Sequence, residues 1–145
     1  HLLVGLWVKH LSACAMDCAL TSYLIAADGT VRLDPVRVDD ATKWLEDLLL
    51  GWHAGLNQPL PVALKTALTW LGAKPENQVD EAIKAYEGDD YFIKGEVQTS
   101  DYLSRAFPTA EALLLGEAEG AGFSEWSQRL YQPLHEANFE YEANA

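Results

Sequence analysis

The stretch from Asp39 to Lys65, DDATKWLEDLLLGWHAGLNQPLPVALK, constrains the fold more than any other part of the chain. Ala41, Trp44, Leu45, Leu48, Leu49 and Trp52 recur at helical spacing. Asp39 or Asp40 is placed to cap the first turn, where a short carboxylate accepts free backbone N–H groups. Gly55 is expected to close the helix in the left-handed conformation, and Pro59 and Pro61 cannot continue it. Two tryptophans on one face demand a wide apolar partner surface. Leu50 points away from that face, so a second side calls for cover. The stretch itself carries no chemistry.

Charge narrows the partners. Ten basic residues stand against twenty-two acidic ones in 145 residues, a formal charge of −12. The bases are scattered singly, whereas nucleic acid is held by clustered Lys and Arg. Binding of DNA or RNA by this chain alone is therefore not expected. An acidic exterior suits docking onto a basic protein surface, or simple solubility. Fifteen aromatic residues rule out a disordered acidic tail. Length allows one domain, or part of a larger one. Cys14 and Cys18 lie one helical turn apart, poor geometry for a disulfide, and read as reduced thiols of a cytoplasmic protein. No apolar run approaches the ~20 residues of a membrane span. The opening HLLVGLWVKHL lacks signal-peptide features and an initiator Met. It reads as starting inside a helix, so an excised piece of a longer protein is expected.

The remaining elements follow in order. Leu2 to Cys18 reads as a helix with Leu3, Leu6, Trp7, His10, Leu11, Cys14 and Cys18 on one stripe, and Val4 and Val8 on a second side. Tyr23 to Leu33 reads as a β-hairpin turning at Asp28-Gly29 in a type I′ turn. Val62 to Leu71 and Pro75 to Tyr86 are expected helices, the second with Val79, Ala82, Ile83 and Tyr86 inward. Residues 87–90 form an acidic turn, and Tyr91 to Ile93 a short strand or anchor. Asp101–Phe107 and Ala110–Leu115 read as helices, and GEAEGAGF as a flexible connection. Phe123, Trp126, Leu130 and Leu134 mark the last helix, which Pro133 is expected to kink or end near Gln132. The tail FEYEANA is expected to fray. The fold class is therefore α/β (α+β), mainly helical.

Candidate chemistry is sparse. His10, Cys14 and Cys18 share a helix face, but a closed zinc site needs four ligands and no second pair exists; core positions are the plainer reading. His135-Glu136 starts like a zinc-protease motif, yet position 139 is Phe where a His is required. Glu87, Asp89 and Asp90 match no calcium loop and read as a solvated turn. The nuclease pattern of a metal-binding residue two before a Lys is absent: Trp7, Ala41, Ala63, Gly72, Ala82 and Phe92 hold those places. No catalytic residue, metal ligand or cofactor is assigned.

The order of the pieces carries a resemblance. An apolar helix ends in Ala-Cys-Ala, a strand turns at Asp28-Gly29, and the DDATKWLEDLLL helix runs into GLNQPLP with Lys65 shortly after. DYLSRAF at 101–107 and FSEWSQRLYQPLHE at the end follow. Together these resemble the carboxy-terminal region of the gamma (RecC) subunit of exodeoxyribonuclease V, the RecBCD helicase-nuclease of double-strand-break repair. The resemblance covers nearly the whole chain and is most specific at GLNQPLP and LYQPL. It implies a restriction-endonuclease-like fold that has lost its catalytic residues and serves assembly and strand separation. Residues 1–38 would be the end of that core, helix then strand or hairpin, with the catalytic strands upstream of His1. Residues 39–145 would be a helical elaboration.

The preferred reading is thus a non-catalytic, protein-binding piece of a DNA-repair complex. Its partners would be the other subunits and the rest of its parent chain, with DNA met only in the full complex and no membrane involved. Leu50, Trp70 and Tyr91 are the candidate interface residues, although burial within the fragment is the plainer reading of each. Lys65 and Arg105 are candidate DNA contacts, set against ordinary helix salt bridges. The alternative is the rear half of an active metal-dependent nuclease, which tight magnesium binding would reveal. A third class, a direct DNA-binding module, would shift DNA at low salt.

Overall fold

A computed structural model describes residues 2–27, 29–89, 93–137 and 141–142. It is mainly helical with a small sheet and divides into two compact units, residues 1–49 with 136–145, and residues 50–135.

In the first unit, helix α1 (Leu2–Ala15) buries Trp7, His10, Leu11 and Cys14. The helix stops three residues before Cys18 because Asp17 takes a left-handed conformation, φ 59°, and the Cys18 N–H turns back to the Ala13 carbonyl. Cys18 thereby leaves the inward stripe and is exposed. Val8 is exposed too, so the second apolar side of α1 is only partly covered. Strands β1 (Ser22–Ala26) and β2 (Gly29–Leu33) form the expected antiparallel hairpin. Gly29 pairs with Ala26 and belongs to the strand, so it is not a turn residue. The type I′ assignment rests on Asp28, which lies outside the described residues. A third strand, Tyr141–Glu142, pairs with β2, so this part of the tail is not frayed.

Helix α2 (Val38–Asn57) is the predicted central helix, twenty residues long. Asp39 and Asp40 lie inside its first turn, favourable to the helix dipole but not at the cap. Gly55 does not close it. The helix runs on to Asn57, and Pro59 disfavours the helical conformation at Gln58. In the first unit Ala41 is buried and Trp44 packs on Trp7 with ring centroids 5.7 Å apart. Leu49, expected inward, is exposed. In the second unit α2 buries Gly51 and Ala54 and leaves Trp52 outward, a second departure from the predicted face.

The second unit is built from short helices. These are α3 (Leu64–Gly72), α4 (Gln78–Glu87) behind a 3-10 turn at Pro75–Asn77, α5 (Asp101–Ala106), α6 (Ala110–Leu114) and α7 (Phe123–Glu136). Ala63, Ala67, Tyr86, Leu103, Phe107, Leu113 and Phe123 make the core. Ala82 and Tyr86 face inward as predicted, but Ala85 completes that face while Val79 and Ile83 do not join it. Pro133 neither ends nor stops α7, which continues to Glu136. It costs the helix one donor, and Leu130 and Leu134, both buried, hold the turns on either side. The GEAEGAGF connection is ordered. Glu117–Ala118 and Ala121–Gly122 pair as a hairpin whose two loop residues, Glu119 and Gly120, both have positive φ. That is the geometry of a type I′ turn. The Trp126 indole N–H donates to the Ala118 carbonyl at 3.0 Å and fixes the hairpin to α7.

Side chains satisfy the helix ends. Glu96 accepts from the Lys65 and Thr66 N–H groups at 3.0 and 2.8 Å and from the Thr66 hydroxyl at 2.9 Å, closing the start of α3. Glu87 accepts from the Ala110 N–H at 2.7 Å at the start of α6. The Tyr86 hydroxyl donates to the Phe107 carbonyl at 2.6 Å. Gly95 lets the returning chain lie directly on the end of α4; a Cβ there would strike the Tyr86 carbonyl oxygen and the backbone of Glu87.

Two outcomes follow. Gly95→Ala forces backbone apart and is expected to destabilise by roughly 2–4 kcal/mol in urea titration, the range of severe core strain. Burial, with Glu96 and Glu87 adding, pushes Tyr86 from an ordinary 10.0 up to about 12. The folded state holds that proton more tightly, so its stabilisation is whole below pH ~10 and fades as pH rises towards 12. Tyr131 shifts in the same direction through burial and Glu96. Tyr86→Phe is expected to melt lower at neutral pH and to lose less stability than the native chain between pH ~10 and ~12.

Candidate functional site

His10 is the most enclosed polar side chain of the first unit, and its bonds are structural. Its Nε2 donates to the Asp34 carbonyl at 3.0 Å, and Nδ1 accepts from the Ser22 hydroxyl at 2.9 Å. The Cys14 sulfur lies 3.7 Å from Nε2. The ring joins α1 to both ends of the β-hairpin. A Ser–His contact also occurs in nucleophilic sites, but there the second nitrogen is oriented by a carboxylate. Here the Asp34 carboxylate is turned to Arg32 at 2.8 Å. The three-residue stripe of His10, Cys14 and Cys18 is broken by the early end of α1. Among the described residues no group of three or more His, Cys, Asp and Glu is arranged to hold a metal ion.

The acidic turn does not converge either. The Glu87 carboxylate is committed to the α6 amide, and Asp89 Oδ1 accepts from the Ile93 N–H at 2.9 Å. Asp90 lies outside the described residues.

The candidate interface residues fare differently from one another. Leu50 is 57% exposed on α2. Trp70 is half-buried on α3 and meets Phe123 edge-on, with centroids 6.0 Å apart. Tyr91 lies outside the described residues. Lys65 is exposed in the first turn of α3, and Arg105 is exposed in the last turn of α5, where Tyr102, Ala106 and Pro59 form a shallow apolar hollow beside it. Among the described residues neither forms the helix ion pair expected of it, whereas Arg32–Asp34 and Glu81–Lys84 do pair. Lys65 sits at the positive end of its helix, where no acidic residue occupies the first turn.

Two surfaces were not read from the sequence. Trp52 and Leu56, one turn apart on the second-unit part of α2, are 64% and 63% exposed. Helical spacing had put Trp52 inside, because periodicity finds an apolar face without saying what covers it. The other surface is a groove of about 520 Å³ with Trp70 and Phe123 on its walls and Val79, Ile83, Leu114 and Leu115 around them. Glu111 stands among these apolar residues. The signal for it was present: Val79 and Ile83 lie one turn apart on a helix whose inner face Ala82, Ala85 and Tyr86 already fill.

The family model described as the RecC C-terminal domain matches residues 1–75. The chain belongs to the RecC C-terminal domain family. It is accordingly part of a RecBCD gamma subunit, a component of a DNA-repair complex with other subunits. No curated protein matches it. The RecC match takes in the whole of α1, the β1–β2 hairpin, α2 and α3 and stops at Pro75. It therefore includes Trp52 and Leu56, whereas the groove draws most of its lining from residues beyond it. No described helix is long and apolar enough to cross a membrane.

The contrast between the two thiols is directly measurable. Cys14 is buried beside His10 and Cys18 is exposed. A thiol reagent such as DTNB is expected to label one cysteine at once in the native chain and the second only on unfolding; Cys18→Ser abolishes the fast phase.

Proposed function

We propose that this chain is a non-catalytic, protein-binding region of the gamma subunit, contributing to assembly of the helicase-nuclease and through it to strand separation. In this reading residues 1–38 are the end of a restriction-endonuclease-like core and residues 39–145 a helical elaboration upon it. The order α1, then β1, is consistent with the last helix and strand of such a core. DNA is met in the assembled complex, in the cytoplasm, with the exposed Lys65 and Arg105 as the candidate phosphate contacts.

The observation that carries the reading is the pair Trp52 and Leu56. A tryptophan and a leucine one turn apart, each nearly two-thirds exposed, form a patch that stays wet unless another subunit or the rest of the gamma subunit covers it. Tryptophan is the residue most enriched among those that dominate interface energetics. Leu50, Trp70 and Tyr91 are proposed as further contacts. The excess of acidic residues supports protein over nucleic acid as the direct partner.

Replacement of Trp52 or Leu56 by Glu in the full gamma subunit tests this. Both positions lie at the surface, so the fold and its melting curve are expected to be retained. Co-purification with the other subunits is expected to fall by about tenfold or more, the scale of a central interface residue. Undiminished assembly of both variants would overturn the reading.

A further inference from the structure

The groove of the second unit has a shape and a charge that select its occupant. Its walls are mainly helical: Trp70 comes from α3, Val79 and Ile83 from α4, Leu114 from α6 and Phe123 from α7, with Pro75 and Leu115 in the turns beside them. No strand edge lines it, so an incoming chain finds no row of backbone partners to pair with. The occupant must satisfy its own backbone, which a helix does, and it must offer a ridge of apolar side chains to a cleft of about 520 Å³. Leu115 is 74% exposed and Val79 57% exposed, so apolar surface is open at the rim. The edge-on contact of Trp70 with Phe123 leaves an aromatic surface beneath.

Charge decides what kind of helix. The two segments that frame the groove, residues 70–83 and 111–124, carry Glu76, Asp80, Glu81, Glu111, Glu117 and Glu119 against the single base Lys74. Of these acids, Glu81 is paired, with Lys84 just beyond the frame. Glu111 is the one of these acids in the lining of the groove, and a carboxylate there favours a cationic partner over nucleic acid or anionic lipid. It also disfavours a second copy of this chain, which is itself at −12.

We propose that this groove docks an amphipathic helix, apolar on one face and flanked by Lys or Arg, supplied by another subunit of the complex. The proposal rests on the protein-binding reading above and names a second surface and the chemistry of what it takes. The apolar ridge supplies affinity, and Glu111 with the acidic segments around it supplies orientation and on-rate.

The test uses the full gamma subunit and each purified partner subunit as probe, at low and high salt. Leu115→Glu and Val79→Glu leave the melting temperature unchanged, since both side chains are at the surface. Each is expected to weaken binding of one partner subunit by about tenfold. Glu111→Lys is expected to weaken it at low salt and much less at high salt. A photo-crosslinker at position 115 is expected to capture a basic amphipathic helix of that subunit. If Trp52→Glu disrupts assembly while Leu115→Glu and Val79→Glu do not, the groove proposal fails and the protein-binding reading survives. If neither the Trp52 and Leu56 variants nor the two groove variants have an effect, both fail. Salt-independent binding, or a crosslink to a second gamma subunit, also overturns the proposal.

Discussion

A helix of five or six residues is nearly all ends. The first four N–H groups and last four carbonyls of any helix lack partners within it, so α5 and α6 in isolation would leave almost every backbone group unpaired. The second unit depends on meeting that demand from elsewhere in the chain. Ser100 and Thr109 cap their own helices. Glu87 and Glu96 do so from a distance, and Tyr86 takes up a carbonyl at the exit of α5. Short helices rely on packing for persistence. Here the packing and the end-satisfying bonds come from the same few residues, since Tyr86 is both core and donor.

The periodic helices were legible because period alone identifies them. Leu2 onward, Val38–Asn57 and Phe123–Glu136 all appear in place. What period cannot say is where a face finds its cover. Trp44 and Trp52 look alike in the sequence; one stacks on Trp7 and the other does not. Local signals at helix ends were also outweighed. Gly55 permits a stop but does not compel one, and α2 runs through it to Asn57, two residues before the proline. Pro133 forbids one hydrogen bond, yet two buried leucines keep α7 continuous. The carboxylates of Glu87 and Glu96 had no local signature, because their partners are 23 and 30 or 31 residues away.

The candidate surfaces were less legible than the elements. Burial was the plainer reading of Leu50, yet it is exposed, and the exposure of Val79 and Ile83 depended on Ala85 taking their place in the core. The groove is a product of tertiary packing among four helices, none of which displays it alone. The family resemblance was readable in the order of elements and in the proline-rich exit of α2; the RecC family match includes that exit and stops at Pro75, short of DYLSRAF and LYQPL. Most of the groove's lining lies beyond Pro75.

The join between α4 and α5 carries a further implication. The chain departs at Glu87 and returns at Gly95, where its backbone lies against the point of departure. Glu87 and Glu96, the two residues that serve distant helices, flank this crossing. Segment length between Gly88 and Lys94, themselves bridged, is therefore uncoupled from the positions of α3 and α6. Added residues there would cost only about 0.6 kcal/mol for each doubling of the loop. The site is a natural place for related chains to diverge in size while keeping the same helical frame.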